Sequence, residues 1–140
     1  MAYVSQESIC KTLITDANKA IKKGDHSRAE RLLMEAVGRL ESATGPVHPR
    51  IASVLLRLGD FYNTQQKYDV AEQQFRRAMD IYESTFGGDN LDVAICLQHL
   101  AEALDAQSRR CEADELRRRS KQILSARLSN FGMESARKGN

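Results

Sequence analysis

The chain repeats itself every 42 residues. Ala29-Glu30, Ala71-Glu72 and Ala113-Asp114 recur at that spacing, and the same offset aligns Leu13, Leu55 and Leu97. It also aligns Ile9, Ile51 and Val93, pairs Leu58 with Leu100 and Gly45 with Gly87, and superposes Arg76-Arg77 on Arg118-Arg119. Ala17, Gly59 and Ala101 are all small, as are Ala36, Ala78 and Ser120. So many coincidences at one offset divide the 140 residues into three tandem units, 10–51, 52–93 and 94–135. A unit of this length cannot close a core by itself, so the units must stack along one axis.

Each unit reads as two helices. In the second, Leu55, Leu58, Gly59 and Tyr62 fall at i, i+3, i+4 and i+7, and Ala71, Phe75, Ala78 and Tyr82 repeat that spacing further on. This is the period of one helical face. Only short polar connections separate the two runs: Lys23-Gly24-Asp25, Gln65-Gln66-Lys67-Tyr68 and Gln107-Ser108-Arg109. Gly24 suits a left-handed C-cap, and Asp25 or Ser27 suits the following N-cap. Thr44-Gly45-Pro46 and Phe86-Gly87-Gly88-Asp89-Asn90 supply turns between units. The reading is six helices, near 5–23, 27–43, 49–65, 69–85, 91–107 and 111–127, with a flexible tail from about 129 to 140. Composition agrees: the only prolines are Pro46 and Pro49, and aromatics make up 6%. This is the balance of helix, not sheet. Small residues at 17, 59, 101 and 29, 71, 113 let paired helices approach, while Leu55, Leu58, Tyr62 and Phe75 fill the space around them. The middle unit, covered on both sides, should be the most stable.

The pattern resembles the tetratricopeptide repeat. The second unit carries it most fully, with Leu55-x-x-Leu58-Gly59-x-x-Tyr62 followed by Ala71, Phe75 and Ala78. The third departs at Arg117, which takes the Phe position; the first departs at Asp16 and Ala20. The usual unit of that family has 34 residues. The longer one here, with junctions such as Thr44-Gly45-Pro46-Val47-His48-Pro49, resembles the repeats of kinesin light chains. The resemblance implies an all-α, right-handed solenoid forming a single domain over 1–140, with no enzymatic activity and no cofactor. It further implies a concave groove, lined by the first helix of each unit, that binds a peptide or helix of another protein.

Carried onto this sequence, the groove positions are Lys11, Ile14, Thr15, Asn18 and Lys22 in the first unit. They are Ser53, Leu56, Arg57, Asp60 and Asn63 in the second, and Ile95, Gln98, His99, Glu102 and Asp105 in the third. Lys11 and Lys22 face Glu102 and Asp105 across the groove length, so a graded charge and a preferred partner direction are expected. Exposed polar residues need no function; apolar Ile14, Leu56 and Ile95 are harder to explain on a surface. The carboxylate clamp of some relatives finds a match only at Asn18. The Asn-Asn pair of kinesin light chains is replaced by Leu56-Arg57 and Gln98-His99.

Two other interaction modes are open. From 109 to 127 the chain carries seven Lys/Arg against three Asp/Glu. Arg109, Arg110, Arg117, Arg118, Arg119 and Lys121 fan around a helix, either as a solvated, partly paired face or as a site for an acidic partner. Nucleic acid is disfavoured, because only Phe131 is available nearby to stack on bases. The final unit ends without an obvious cap, so uncovered Leu116, Ile123, Leu124 and Leu128 would allow stacking into a homo-oligomer.

The remaining chemistry is plain. Cys10, Cys96 and Cys111 are an odd, scattered set, neither a disulfide framework nor a zinc site, and Cys10 and Cys96 read as small core residues. His26, His48 and His99 sit in different contexts, with His48 serving the turn before Pro49. Asp89 and Asp92 read as helix N-terminal charges. Phosphate-loop, dinucleotide, zincin and nucleophile-elbow motifs do not occur, and no metal site is expected. No run approaches the ~20 apolar residues of a membrane span, and 1–20 lacks the apolar core of a signal peptide, so a cytoplasmic location is expected.

Overall fold

The structure, a computed structural model, describes residues 5–138, with side chains through Gly132. Six helices follow one another: α1 (Gln6–Lys23), α2 (His26–Thr44), α3 (Pro49–Thr64), α4 (Tyr68–Phe86), α5 (Leu91–Ala106) and α6 (Arg110–Lys138). Among the described residues there is no strand. The helices pair as hairpins, α1 with α2, α3 with α4 and α5 with α6, and the hairpins stack in chain order through α2–α3 and α4–α5 contacts.

Local chemistry starts and stops each helix. Ser5, Asp25 and Asn90 accept hydrogen bonds from the backbone N–H of Ser8, Arg28 and Asp92. These are N-caps. His48 acts likewise, its Nδ1 accepting from the N–H of Arg50, with Pro49 opening the helix behind it. Within every hairpin the first helix ends in the same six-residue closure, from Asp25 N to Ala20 O, Lys67 N to Tyr62 O and Arg109 N to Leu104 O, each 2.9 Å. Each closure needs a left-handed residue. Gly24 provides it in the first unit, while Gln66 and Ser108 adopt it at the equivalent places, with φ of 60° and 62°.

Between hairpins the stop is stricter. Gly45 and Gly87 end α2 and α4 with φ of 84° and 89° and extended ψ of 175° and 163°. That region is essentially closed to residues with a Cβ. The third unit has Ser129 at this position. Nothing halts α6 there, and it runs on to Lys138. The tail expected from 129 onward is therefore helical as far as it is described; 139–140 lie outside the described residues.

The core is one continuous cluster running through all three hairpins. Phe75 lies at its centre, fully buried, with its ring against Gly59; a Cβ at Gly59 would sit 2.4 Å from Phe75 Cε1. Cys10 and Cys96 are buried members of the core, and burial pushes the Cys96 thiol up to about 12. Stacking is reinforced by ion pairs that keep the repeat's own spacing. Arg77 meets Glu41 from α4 to α2, and Arg119 meets Glu83 from α6 to α4. Tyr62 Oη donates to Glu30 at 2.7 Å, so that one unit's first helix is tied to the preceding unit's second.

One expectation for the last helix changes. Ile123, foreseen as partly uncovered, is 4% exposed. It takes the place 42 residues after Ile81, which is buried in the same way. Leu116 and Leu124 are half-buried against the core, whereas Leu128 and Phe131 are 72% and 71% exposed on the extension.

Candidate functional site

The first helices α1, α3 and α5 place the expected groove residues in register. Ile14, Leu56, Asn63, His99 and Asp105 are half-buried, and Lys11, Thr15, Asn18, Lys22, Ser53, Arg57, Asp60, Ile95, Gln98 and Glu102 are exposed. Strict 42-residue spacing from Asn63 and Asp105 leads back to Ile21, next to Lys22. Ile21 is 37% exposed and Ile95 36%, so apolar surface occurs at both ends of this face, with Ile14 and Leu56 between them.

Its centre is His99 of α5, in aromatic contact with α4 and acidic contact with α3. The His99 ring stacks on Phe75 with centroids 5.3 Å apart. Its Nδ1 lies 2.9 Å from Asp60 Oδ1, a close ion-pair contact that falls short of an aligned hydrogen bond. Asp60 holds the imidazole above its ordinary value, against the opposing effect of burial, and Glu102 adds to the rise.

The graded charge expected along the groove is compensated in part, at Lys11 and Asp105 but, among the described residues, not at Lys22 or Glu102. At the basic end, Glu7 lies 3.4 Å from Lys11 Nζ and 3.0 Å from Arg50 Nη1. At the acidic end, Arg117 reaches from α6 to Asp105 and also binds Asp114 at 3.2 Å. The expectation rested on first helices alone. Arg117 reaches Asp105 because it occupies the place that Phe75 fills one unit earlier.

The basic run is similarly engaged. Arg109 binds Glu72 at 2.6 Å and Glu112 at 2.7 Å, and Arg119 binds Glu83 at 2.8 Å. Arg110, Arg118 and Lys121 are exposed, with Lys121 beside Gln98, Glu102 and Arg117 in a shallow depression. The structure thus divides the basic residues between inter-helix ion pairs and solvent.

Sequence reasoning missed one feature. Between α1, α2 and α3 lies a mainly apolar pocket of about 180 Å³ lined by Glu7, Cys10, Lys11, Ile14, Leu40, Arg50, Ser53 and Val54. Only Lys11, Ile14 and Ser53 had been assigned to the groove. The signal was present as a size change within the repeat, because Leu40 aligns with Tyr82. A larger and more polar depression of about 540 Å³ lies between the start of α1 and α2, at Gln6, Glu35, Gly38, Arg39 and Ser42. Among the described residues no group of three His, Cys, Asp or Glu could hold a metal ion, and no helix is long and apolar enough to cross a membrane.

The repeat register and the stacked hairpins have their counterpart in known proteins. The family model described as tetratricopeptide repeat matches residues 17–84 and again 50–126. The chain belongs to the tetratricopeptide repeat family. Such repeats are general protein–protein interaction modules. Amyloid protein-binding protein 2 of Rattus norvegicus and that of Mus musculus are each 30% identical over 90 residues, 64% of this chain. The match spans only 15% of each of those proteins. Among solved structures, BtubC (BKLC) from P. vanneervenii superposes with a TM-score of 0.81 at 23% identity, covering 86% of this chain and 48% of its own. Kinesin light chain TPR-like repeats from Podosopora anserina give 0.77 at 20% identity, covering 90% and 60%. At these identities the likeness is one of fold. It supports the kinesin-light-chain-like form of the tetratricopeptide unit.

Proposed function

We propose that this tetratricopeptide chain is a non-catalytic adaptor whose concave face binds a segment of another protein. The observation that carries the reading is the apolar surface at Ile21, Ile14, Leu56 and Ile95, which the three first helices leave wholly or partly uncovered and in which Ile14 and Leu56 share one repeat position. Apolar residues in a groove rimmed by charge favour an apolar partner side chain while the rim selects orientation. One relative is named for binding a protein, which is the same class of partner.

Two other readings have less support. Stacking into a homo-oligomer needs apolar end faces; Leu128 and Phe131 are exposed on α6, yet Gln98, Arg117 and Lys121 stand where the middle unit has Leu56, Phe75 and Met79. An acidic partner on the last helix would compete with Glu72, Glu83 and Asp105 for Arg109, Arg119 and Arg117.

The test is a cross-linking pull-down from native cell extract with the wild-type chain and the Leu56→Glu/Arg57→Glu double variant. Circular dichroism establishes that the variant is folded. Loss of the captured protein by a folded variant is the expected result, and undiminished capture sinks the groove reading.

A further inference from the structure

The pocket at the first junction is lined by residues smaller than their repeat equivalents at Leu40 and Ser53, which align with Tyr82 and Ile95. At the second junction the place of Leu40 is taken by Tyr82, which is buried and lies near Asp92 and Cys96, the equivalents of Arg50 and Val54. Leu40 leaves that volume open, with Ile14, Val54 and Cys10 around it. The Cys10 thiol is directed to Ala36 O, 3.8 Å away, so it offers no free donor to a ligand. A polar side chain entering here would lose its water without replacement, and an aliphatic one would not.

The mouth carries charge in an uneven ratio. Two cations, Lys11 and Arg50, share the single carboxylate of Glu7, which bridges α1 and α3. That carboxylate is held below its ordinary range, chiefly by its hydrogen bond to Arg50 and then by Lys11.

We infer that this pocket is a subsite for an aliphatic side chain of an extended partner segment that carries Asp or Glu two residues away, with Glu7 holding the place of the incoming carboxylate. The spacing follows from geometry. In an extended chain, residues i and i+2 point to the same side about 7 Å apart. Lys11 and Arg50 line the same pocket as Ile14 and Val54. A partner whose aliphatic group fills the pocket therefore brings its second side chain to the two cations. Glu7 competes for them and sets the affinity. The inference rests on the groove reading and deepens it.

The test uses short acetylated, amidated peptides in a Gly-Ser background with Leu-Ser-Glu, Leu-Ser-Gln or Ser-Ser-Glu at the centre. Binding is followed by chemical-shift changes in the isotope-labelled full chain. Leu-Ser-Glu is expected to bind best and to perturb Cys10, Ile14 and Val54. Glu7→Gln should tighten it, since a competing charge is removed without loss of shape. Leu40→Tyr fills the pocket with the residue that the second unit already accommodates, and should weaken binding by about tenfold, the equivalent of one buried aliphatic group. Equal affinity for the three peptides, or Leu40→Tyr binding as well as wild type, overturns the subsite. So does the absence of any shift. The groove reading is judged separately by the Leu56/Arg57 variant, so the two can fail independently.

Discussion

The same repeat positions have opposite chemistry inside the stack and at its two ends. Val54 and Cys96, Leu58 and Leu100, Phe61 and Ala103, and Ile81 and Ile123 are buried in units that have a preceding neighbour. In the first unit these positions hold Thr12, Asp16, Lys19 and Arg39. At the other end, Leu33 and Phe75 give way to Arg117, and Val37 and Met79 to Lys121. The fold repeats with one geometry, yet at these positions apolar residues are kept only where another hairpin covers them. An outer face that stays polar is what keeps a solenoid from stacking further. Departures from the repeat pattern in the outer units thus mark faces, not failures of the pattern.

The most direct way to break this comparison is to truncate one position twice. Phe75→Ala removes a ring enclosed by Gly59 and His99, and should cost about 3–5 kcal/mol in urea unfolding. Arg117→Ala removes the equivalent side chain from an end face and should cost far less, because its ion pairs with Asp105 and Asp114 are partly solvated. Equal losses would mean that burial does not distinguish the two faces.

A smaller effect sharpens the same point within one hairpin. Gly59→Ala brings a Cβ against the Phe75 ring, which has little room to move, and should cost about 1–3 kcal/mol. The first unit resolves this contact with Ala17 against Leu33. In the Gly59→Ala/Phe75→Leu double variant the two changes should therefore offset, with a coupling energy measurable by a double-mutant cycle. Strict additivity would show that the small residue is not there for the ring.

Much of this architecture was legible because period and helix face are properties of sequence spacing. The offset of 42 placed Leu55, Gly59, Ala71 and Phe75 in contact positions before any coordinates. The caps at Gly24 and Asp25 follow from local chemistry. What spacing could not convey was how far a long side chain reaches between helices. Arg117 was assigned to a basic face, yet it neutralises Asp105 of the groove. Ser129 gave no visible sign that α6 would continue, since the meaning of that position emerges only from the backbone angles of Gly45 and Gly87. The pocket depended on the volume difference between Leu40 and Tyr82, which a pattern of apolar positions treats as equivalent.

The smallest effect concerns the His99–Asp60 contact, which joins the inner faces of α3 and α5. The folded-state pKa of His99 is raised, mainly by Asp60, from an ordinary value near 6.5. The sign follows from linkage. A group that binds its proton more tightly in the folded state contributes stability that is complete below the unfolded pKa. That contribution disappears as pH rises through the folded value. Thermal unfolding should therefore show a modest loss of stability as pH is raised from below 6.5 into the neutral range. Asp60→Asn removes the main cause of the rise and should flatten the slope, leaving burial to disfavour the charged ring. End-face substitutions such as Lys121→Gln should leave it unchanged. A slope that persists in Asp60→Asn would assign the effect to another group and remove His99 from the contacts that distinguish the inner face from the ends.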